Sequence, residues 1–488
     1  MSLTADELNS TLRRARVAQQ IWAAKSISER LAPIAKLRAR LAADPFSLAE
    51  VVAAEIGKTR FEAIGAEILP TAEACAFLTD RAHTLLKPRR EPLRGTMPFA
   101  GIGYVHHVPW GVVANLVPWN YPLFLCASSA VNALAAGNAI VMKPSPRARK
   151  SVGAFAQWLW DAGIPPELAP VLDSADESGR MLVASPLIDR IVFTGSSQTG
   201  RSVLRAAAEN LIPATIELSG YDAVFVLPDA DINLAVASIS FGVCFNAGRT
   251  CVCPRRVFVD KRIAEPFTRL LSERLKTRGL TAPMDPRTLK EADDLAARLD
   301  ATHALNLNAR QRGDANLALA VSGGREALAA AQGNFVPAIV VASVENSDEA
   351  LQLEGESPYA LGASIFTENP ANAEALATRL RAGMIVVNEC IVPAGEAALP
   401  FGGARESGYG VRSGVEGLME MTRPQAVSYA RFKMRPHHDA GPEAEGLLLE
   451  LLHARHSPSV LRRMTGWVRY GIEATKLLRA QNRKNSKQ

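Results

Sequence analysis

The chain has 488 residues, 48% of them hydrophobic and 21% charged, with only six cysteines. That composition supports two or three domains with large cores, and it excludes a disordered chain and a small fold stapled by disulfides. The net charge of +6 suggests acidic partners only until it is located: residues 459–488 carry eight Lys or Arg against Glu473 alone, a net +7 that leaves −1 for the rest. Nucleic-acid binding by the main body is therefore not expected.

Residues 4–86 keep apolar side chains at helical spacing with few breakers, and predict helices. Thr4 stands as an N-cap, and MSLTADELNSTLRRARVAQQIW contains no apolar core of a signal peptide, so the expectation is a cytoplasmic chain with reduced thiols. From residue 101 the texture changes. GVVANLVP, AIVMKPS, DRIVFTGSS, ATIELSG and DAVFVLPD are short β-branched runs, and LCASSAVNALAAG and TGRSVLRAAAENL between them are helix-like. Such alternation predicts βαβ units around a parallel sheet. A second α/β region spans about 230 to 408, with helices over 261–277 and 287–300 and strands at AIVVAS and MIVVNE. In the tail, SVLRRMTGWVRYGIEATKLL predicts one basic amphipathic helix with Leu461, Met464, Trp467, Val468, Ile472 and Leu478 at helical spacing. It would pack on its own subunit or a partner, or touch an anionic membrane peripherally.

Three stretches carry chemistry. FNAGRTCVCPRR sets Cys251 and Cys253 one residue apart behind a glycine turn. No histidine lies within forty residues of Cys251, and no second CxxC or HxxxH exists, so no metal site is expected. The cysteines are then small buried hydrophobes or the seat of a nucleophile. IVFTGSSQTGRSVL reads as strand, glycine turn and helix, where Gly195 and Gly200 let backbone approach a ligand and the free N–H groups suit a pyrophosphate, although the GxGxxG spacing is absent. Lys143 closes the run AIVMK.

Taken jointly and in order, PWNYP (118–122), IVMKPS, FTGSSQTG, IELSG (216–220), FNAGRTC and PFGGARESGYG (400–410) resemble the aldehyde dehydrogenase superfamily over roughly residues 1–430. The resemblance implies an α/β fold: a Rossmann-like NAD(P)-binding domain over 1–218 with an oligomerisation hairpin near 88–110, a catalytic domain over 219–408, an oligomerisation strand region over 409–432, and a tail over 433–488 outside the shared fold. It implies a homo-oligomer, a small-molecule aldehyde as substrate and NAD or NADP as cofactor. By residue matching, Cys251 is the nucleophile, with a lowered pKa, and Cys253 a neighbour. Asn120 holds the oxyanion, and Glu217 activates the water that hydrolyses the thioester. Trp119, Lys143, Gly195, Ser196 and Gly200 meet the cofactor, and Phe401 lines the substrate end.

Four departures qualify the match. Pro146 stands where the family has the glutamate of KPSE, which removes an acceptor for the NAD ribose and leaves NADP open. Ser219 replaces a glycine beside Glu217, and Arg249 replaces the glutamine before the cysteine turn. The segment between NFVPAIVVAS and SPYALGASIF is too short for the family's EEIFGP stretch, whose glutamate grips the nicotinamide ribose. That deletion motivates a competing expectation, a weak or inactive homologue acting as a binding or scaffold protein.

Overall fold

The computed structural model describes residues 3–92, 102–429 and 444–485. His437 and His438, and part of the hairpin expected near 88–110, lie outside the described residues. The chain divides into two units, Met1–Lys87 with His107–Pro424, and Pro88–His106 with Gln425–Gln488.

The first unit opens with the expected helices, Ala5–Ala23, Ile27–Ala43, Pro45–Ile56, Arg60–Ala63 and Leu69–Leu85. Three of them start at a Ser/Thr-x-x-Glu box in which both reciprocal hydrogen bonds form, Thr4 with Glu7, Ser26 with Glu29, and Thr59 with Glu62. A five-stranded sheet follows in the order Gly408–Tyr409, Ala214–Glu217, Arg190–Thr194, Val112–Val117, Ala139–Pro144. Its four longer strands are parallel, and the short outer one runs antiparallel, pairing Gly408 with Glu217. Burial on both faces explains the unbroken apolar runs of the sequence, and the helix Pro122–Ala136 that packs on it is buried at every position. Strand order reverses beside Val112–Val117: the chain goes first to one neighbour, Ala139–Pro144, and then across to the other, Arg190–Thr194. At such a point the loops beyond the carboxyl ends of the strands separate and leave a crevice.

A seven-stranded sheet occupies the rest of the unit, in the order Met384–Val387, Gly362–Phe366, Asp222–Val226, Pro254–Asp260, Ala338–Val344, Leu319–Ser322, Leu305–Asn306. Helices Ala264–Arg278 and Pro286–Asp300 fall within a few residues of expectation. The strand Ala338–Val344 leads through two residues into the helix Ser347–Gly355, whose first turn is capped by Asn346. No extra element intervenes where the sequence is short.

The strands Arg89–Pro92 and Ile102–Pro109 pair antiparallel, and their three-stranded sheet is completed by Thr422–Tyr429. The stretch 409–432 is only partly strand, since a helix, Gly414–Glu420, precedes Thr422–Tyr429. In the tail the stretch SVLRRMTGWVRYGIEATKLL lies, after its first residue, within one helix, Val460–Asn485, as expected, and a further helix that was not expected, Glu445–His456, precedes it. Ser457, Pro458 and Ser459 separate the two, because proline cannot continue the first helix and the residue before it is pushed to extended backbone.

Candidate active site

The crevice is a cavity of about 1320 Å³ whose wall includes Trp119, Asn120, Lys143, Gly195, Ser196 and Cys251. Residues spread over more than a hundred positions meet here because all but Cys251, which precedes the strand Pro254–Asp260, follow or end a parallel strand. Lys143 is the penultimate residue of Ala139–Pro144, Gly195 follows Thr194, and Trp119 and Asn120 lie just beyond Val117. Glu217, Gly200 and Phe401 are not on the cavity wall. Gly200 sits in the first turn of the helix Ser197–Glu209, where a Cβ would run into Leu218. Its place is explained by helix-to-strand packing rather than by approach to a ligand.

Cys251 is reached through a left-handed turn. Asn246, Ala247 and Gly248 all have positive φ, at 50°, 50° and 69°, a conformation that costs a residue with a Cβ on the order of 1–2 kcal/mol. Burial and hydrogen bonds impose it. The Asn246 N–H donates to Glu62, the Asn246 amide donates to the carbonyls of Asn120 and Arg249, and a Cβ on Gly248 would strike Pro337. Arg249, 1% exposed, ties the turn to the N-terminal helices by donating to the carbonyls of Asn246, Ile56 and Gly57. A glutamine has too few donors for that clamp, so the arginine at this position is structural.

Asn120 is buried, and its Nδ2 donates to the Arg249 carbonyl at 3.1 Å. One of its two N–H bonds is thus used to bring the PWNYP loop against the cysteine turn, leaving the other for a ligand. Behind it, Lys58 Nζ donates to the Asn120 carbonyl at 2.9 Å and pairs with Glu67 at 2.6 Å, both side chains fully buried. Glu67 also accepts the Leu123 and Phe124 N–H groups at the start of the buried helix. Burial pulls the Lys58 ammonium down and pushes the Glu67 carboxyl up, and their mutual charge opposes both shifts. Sequence reasoning missed this pair, for nothing in EIGKTRFEAIGAEI distinguishes it from an ordinary helical charge pattern.

Burial pushes the Cys251 thiol up to about 12; Asp222 and Glu217 raise it further, while Arg412 and the Val252 N–H lower it. This corrects the expected lowering. Donors at the thiol are outweighed by a closed setting that disfavours a thiolate. Cys251 remains partly accessible, whereas Cys253 is buried, with its Sγ 3.8 Å from the Gly242 carbonyl oxygen.

Glu217 ends its strand 3% exposed, and Arg412 Nε donates to its Oε1 at 3.0 Å. Burial raises its pKa, and Arg412 and Thr194 pull it back. The guanidinium lies 4.8 Å from the Phe124 ring centroid and 4.9 Å from that of Phe401, with its Nη1 buried and unpartnered. Phe401 therefore packs on the arginine that holds Glu217. Arg412 is 195 residues from Glu217 in sequence, and no local pattern signals it.

At the other end, Trp119 is covered by the Arg147 guanidinium at 3.5 Å and meets Phe335 edge-on at 6.2 Å. Arg147 is held by Asp285 at 3.2 Å. Burial pulls the Lys143 ammonium down and Asp176, 3.9 Å away, pushes it up. Ser196 caps the helix Ser197–Glu209 by accepting the Thr199 N–H, and the remaining N–H groups of that first turn face an anion favourably.

The Aldehyde dehydrogenase family model matches residues 1–344 and 324–427. The chain belongs to the aldehyde dehydrogenase family. It is 30% identical over 446 residues, 88% of its length and 85% of the relative's, to a protein of Mycolicibacterium smegmatis provisionally named succinate-semialdehyde dehydrogenase [NADP(+)]. It is 31% identical over 439 residues, 86% of its length and 80% of the relative's, to the 4,4'-diapolycopene aldehyde oxidase of Methylomonas sp. Among solved structures it resembles the NADP-dependent glyceraldehyde-3-phosphate dehydrogenase from Bacillus halodurans C-125 complexed with NADP, with a TM-score of 0.82, 28% identity, and coverage of 88% and 92% of the two chains. As an aldehyde dehydrogenase it is an oxidoreductase acting on aldehydes, with the α/β fold of that family. The family match comes in two overlapping parts that share residues 324–344, where the strand Ala338–Val344 lies. Among the described residues no cluster of His, Cys, Asp or Glu could hold a metal ion.

Proposed function

We propose that the protein oxidises an aldehyde to its carboxylic acid with NAD(P)+, through a thiohemiacetal and a thioester on Cys251. The observation that carries this reading is the convergence of Cys251 and Asn120 on one cavity wall with Lys143, Gly195 and Ser196. The Lys143 ammonium, the Ser196 hydroxyl and the open first turn of Ser197–Glu209 form a donor set that fits a ligand bearing two phosphates. Trp119 would flank it. Pro146 offers no carboxylate to a ribose, and Lys143 and Arg147 supply positive charge nearby, which favours acceptance of a 2′-phosphate.

In this mechanism Cys251 Sγ adds to the carbonyl carbon, and the thiol proton passes to the Glu217 carboxylate through water. The free Asn120 N–H donates to the oxygen that gains charge. When bound, the nicotinamide supplies a two-electron acceptor for the hydride that leaves the tetrahedral carbon. Glu217 releases the thiol's proton to solvent and then takes a proton from the water that attacks the thioester; the S–C bond breaks, and that proton returns to the departing sulfur, regenerating Cys251 as thiol with release of the acid. The five-stranded sheet would serve as the cofactor-binding domain, the seven-stranded sheet as the catalytic domain, and the three-stranded sheet as the oligomerisation element.

The missing stretch sets the balance between steps. A nicotinamide held less firmly loses rate more than affinity, because hydride transfer depends on alignment. Ester hydrolysis needs Cys251, Asn120 and Glu217 but no hydride acceptor. Hydrolysis of p-nitrophenyl acetate and oxidation of succinate semialdehyde and of longer apolar aldehydes, with NAD and NADP, are to be measured on one preparation. The expected result is ester hydrolysis abolished by Cys251→Ala, with slower oxidation that prefers NADP. Loss of both activities in folded protein with a reduced Cys251 would leave the scaffold reading.

A further inference from the structure

The two helices of the tail are packed inside out. Glu445–His456 and Val460–Asn485 meet through small or flat groups: Gly466 and Tyr470 of the second helix are buried, as are Leu451 and Ala454 of the first, and a Cβ on Gly466 would come 2.7 Å from the Ala454 nitrogen. Apart from Leu451 and Tyr470, the large apolar side chains of this part of the hairpin point elsewhere. Leu448, Leu449 and Leu452 of the first helix are 63%, 48% and 56% exposed, and Leu461, Met464, Trp467 and Val468 of the second are 73%, 65%, 47% and 66% exposed. At ~100° per residue the stripe of Leu461, Met464 and Val468 lies about 160° from the seam made by Gly466 and Tyr470. Both helices thus spend their best core formers on the face turned away from each other. Scattered exposed leucines need no explanation, but a continuous stripe does.

Charge narrows what covers it. Arg462, Arg469 and Lys476 line one border of the stripe, Arg479 stands in line with Leu461 further along the helix, and Arg463 lies beyond the other border. Their acidic partners are few: Arg469 reaches Glu450 at 3.8 Å, and Lys476 reaches Glu473 at 2.8 Å. A second copy would bring the same +7 of residues 459–488 against itself. An apolar stripe edged by cations, with an indole at its margin, is the pattern of a helix lying in a lipid interface. No described helix is long and apolar enough to cross a membrane.

We infer that the hairpin Glu445–Asn485 docks on an anionic lipid bilayer, with Leu461, Met464, Trp467 and Val468 entering the acyl boundary and the flanking cations meeting headgroup phosphates. The inference stands apart from the proposed chemistry, since lipid binding is read without turnover.

The test uses the full chain and sedimentation with vesicles. With phosphatidylcholine vesicles containing phosphatidylglycerol, the pelleted fraction should exceed that with pure phosphatidylcholine by about tenfold at low salt, and fall back at about 0.5 M salt, where the Debye length is a few Å. The triple variant Leu461→Glu, Met464→Glu, Val468→Glu should abolish pelleting while leaving the melting temperature unchanged, because the stripe is solvent-facing. Trp467 should report independently: blue-shifted emission on adding anionic vesicles, absent in Trp467→Phe. The inference is overturned if wild-type protein fails to pellet at low salt, or pellets equally as the triple variant. It is also overturned if the triple variant lowers the oligomeric mass in lipid-free solution, which would assign the stripe to a second copy.

Discussion

Replacing Arg412 with methionine isolates what the guanidinium does for Glu217. The side chain keeps most of its volume between Phe124 and Phe401, but the carboxylate loses its charge partner at 3.0 Å. An opposite charge at that distance lowers a carboxyl pKa by roughly 1–3 units, each about 1.4 kcal/mol. Burial already raises Glu217 above its ordinary value of 4.5, so the variant moves it further up by about that amount, and the base is protonated over more of the neutral range. The acidic limb of p-nitrophenyl acetate hydrolysis, followed from pH 5 to 10, should shift upward by 1–3 units, with Arg412→Lys recovering part of the shift. Stability adds a second reading. A carboxyl whose folded pKa lies above its unfolded value keeps a proton that the unfolded chain has released, so stability declines as pH rises from the unfolded value through the folded one and is level beyond. Arg412→Met should thus melt near wild type at pH 5 and lower than wild type at pH 8, by up to about 3–5 kcal/mol if the charge stays uncompensated. A pH–rate profile that superimposes on wild type would refute the reasoning.

Other perturbations are simpler. Asn120→Ala should reduce ester hydrolysis by about 10²–10³-fold, read from steady-state rates, because one oxyanion donor is lost. With Cys251 pushed up to about 12, the thiolate fraction grows about tenfold per pH unit, so iodoacetamide labelling of Cys251, mapped by mass spectrometry, should accelerate across pH 7 to 10 and never saturate there; a plateau near pH 7 would mean a thiol lowered as first expected. Lys58→Met leaves Glu67 buried without its partner and should lower unfolding free energy by about 3–5 kcal/mol in denaturant titration.

Much of the five-stranded sheet was legible because it is local. GVVANLVP, AIVMKPS and DRIVFTGSS are strands by composition, and their parallel pairing follows from the helices between them. The turn before Cys251 was visible as FNAGRTC, though only coordinates show that Asn246 and Ala247 share its left-handed backbone. What stayed hidden depends on distance or burial. Arg412 reaches Glu217 across a fold that no window of sequence contains, and the thiol's raised pKa reflects an enclosed site that residue types do not report. The helix over Val460–Asn485 was legible in its apolar spacing, whereas Glu445–His456 before Pro458 was not read from the sequence.

The strand that ends in Glu217 has a consequence for synthesis. Its outer neighbour, Gly408–Tyr409, and its charge partner, Arg412, arrive almost two hundred residues later. The strands Ala139–Pro144, Val112–Val117 and Arg190–Thr194 can pair in that order, with Arg190–Thr194 taking up Ala214–Glu217, as they leave the ribosome, since their contacts are short in sequence. A nascent chain therefore holds Glu217 without its charge partner, and the buried carboxyl is paired only after translation has passed residue 412.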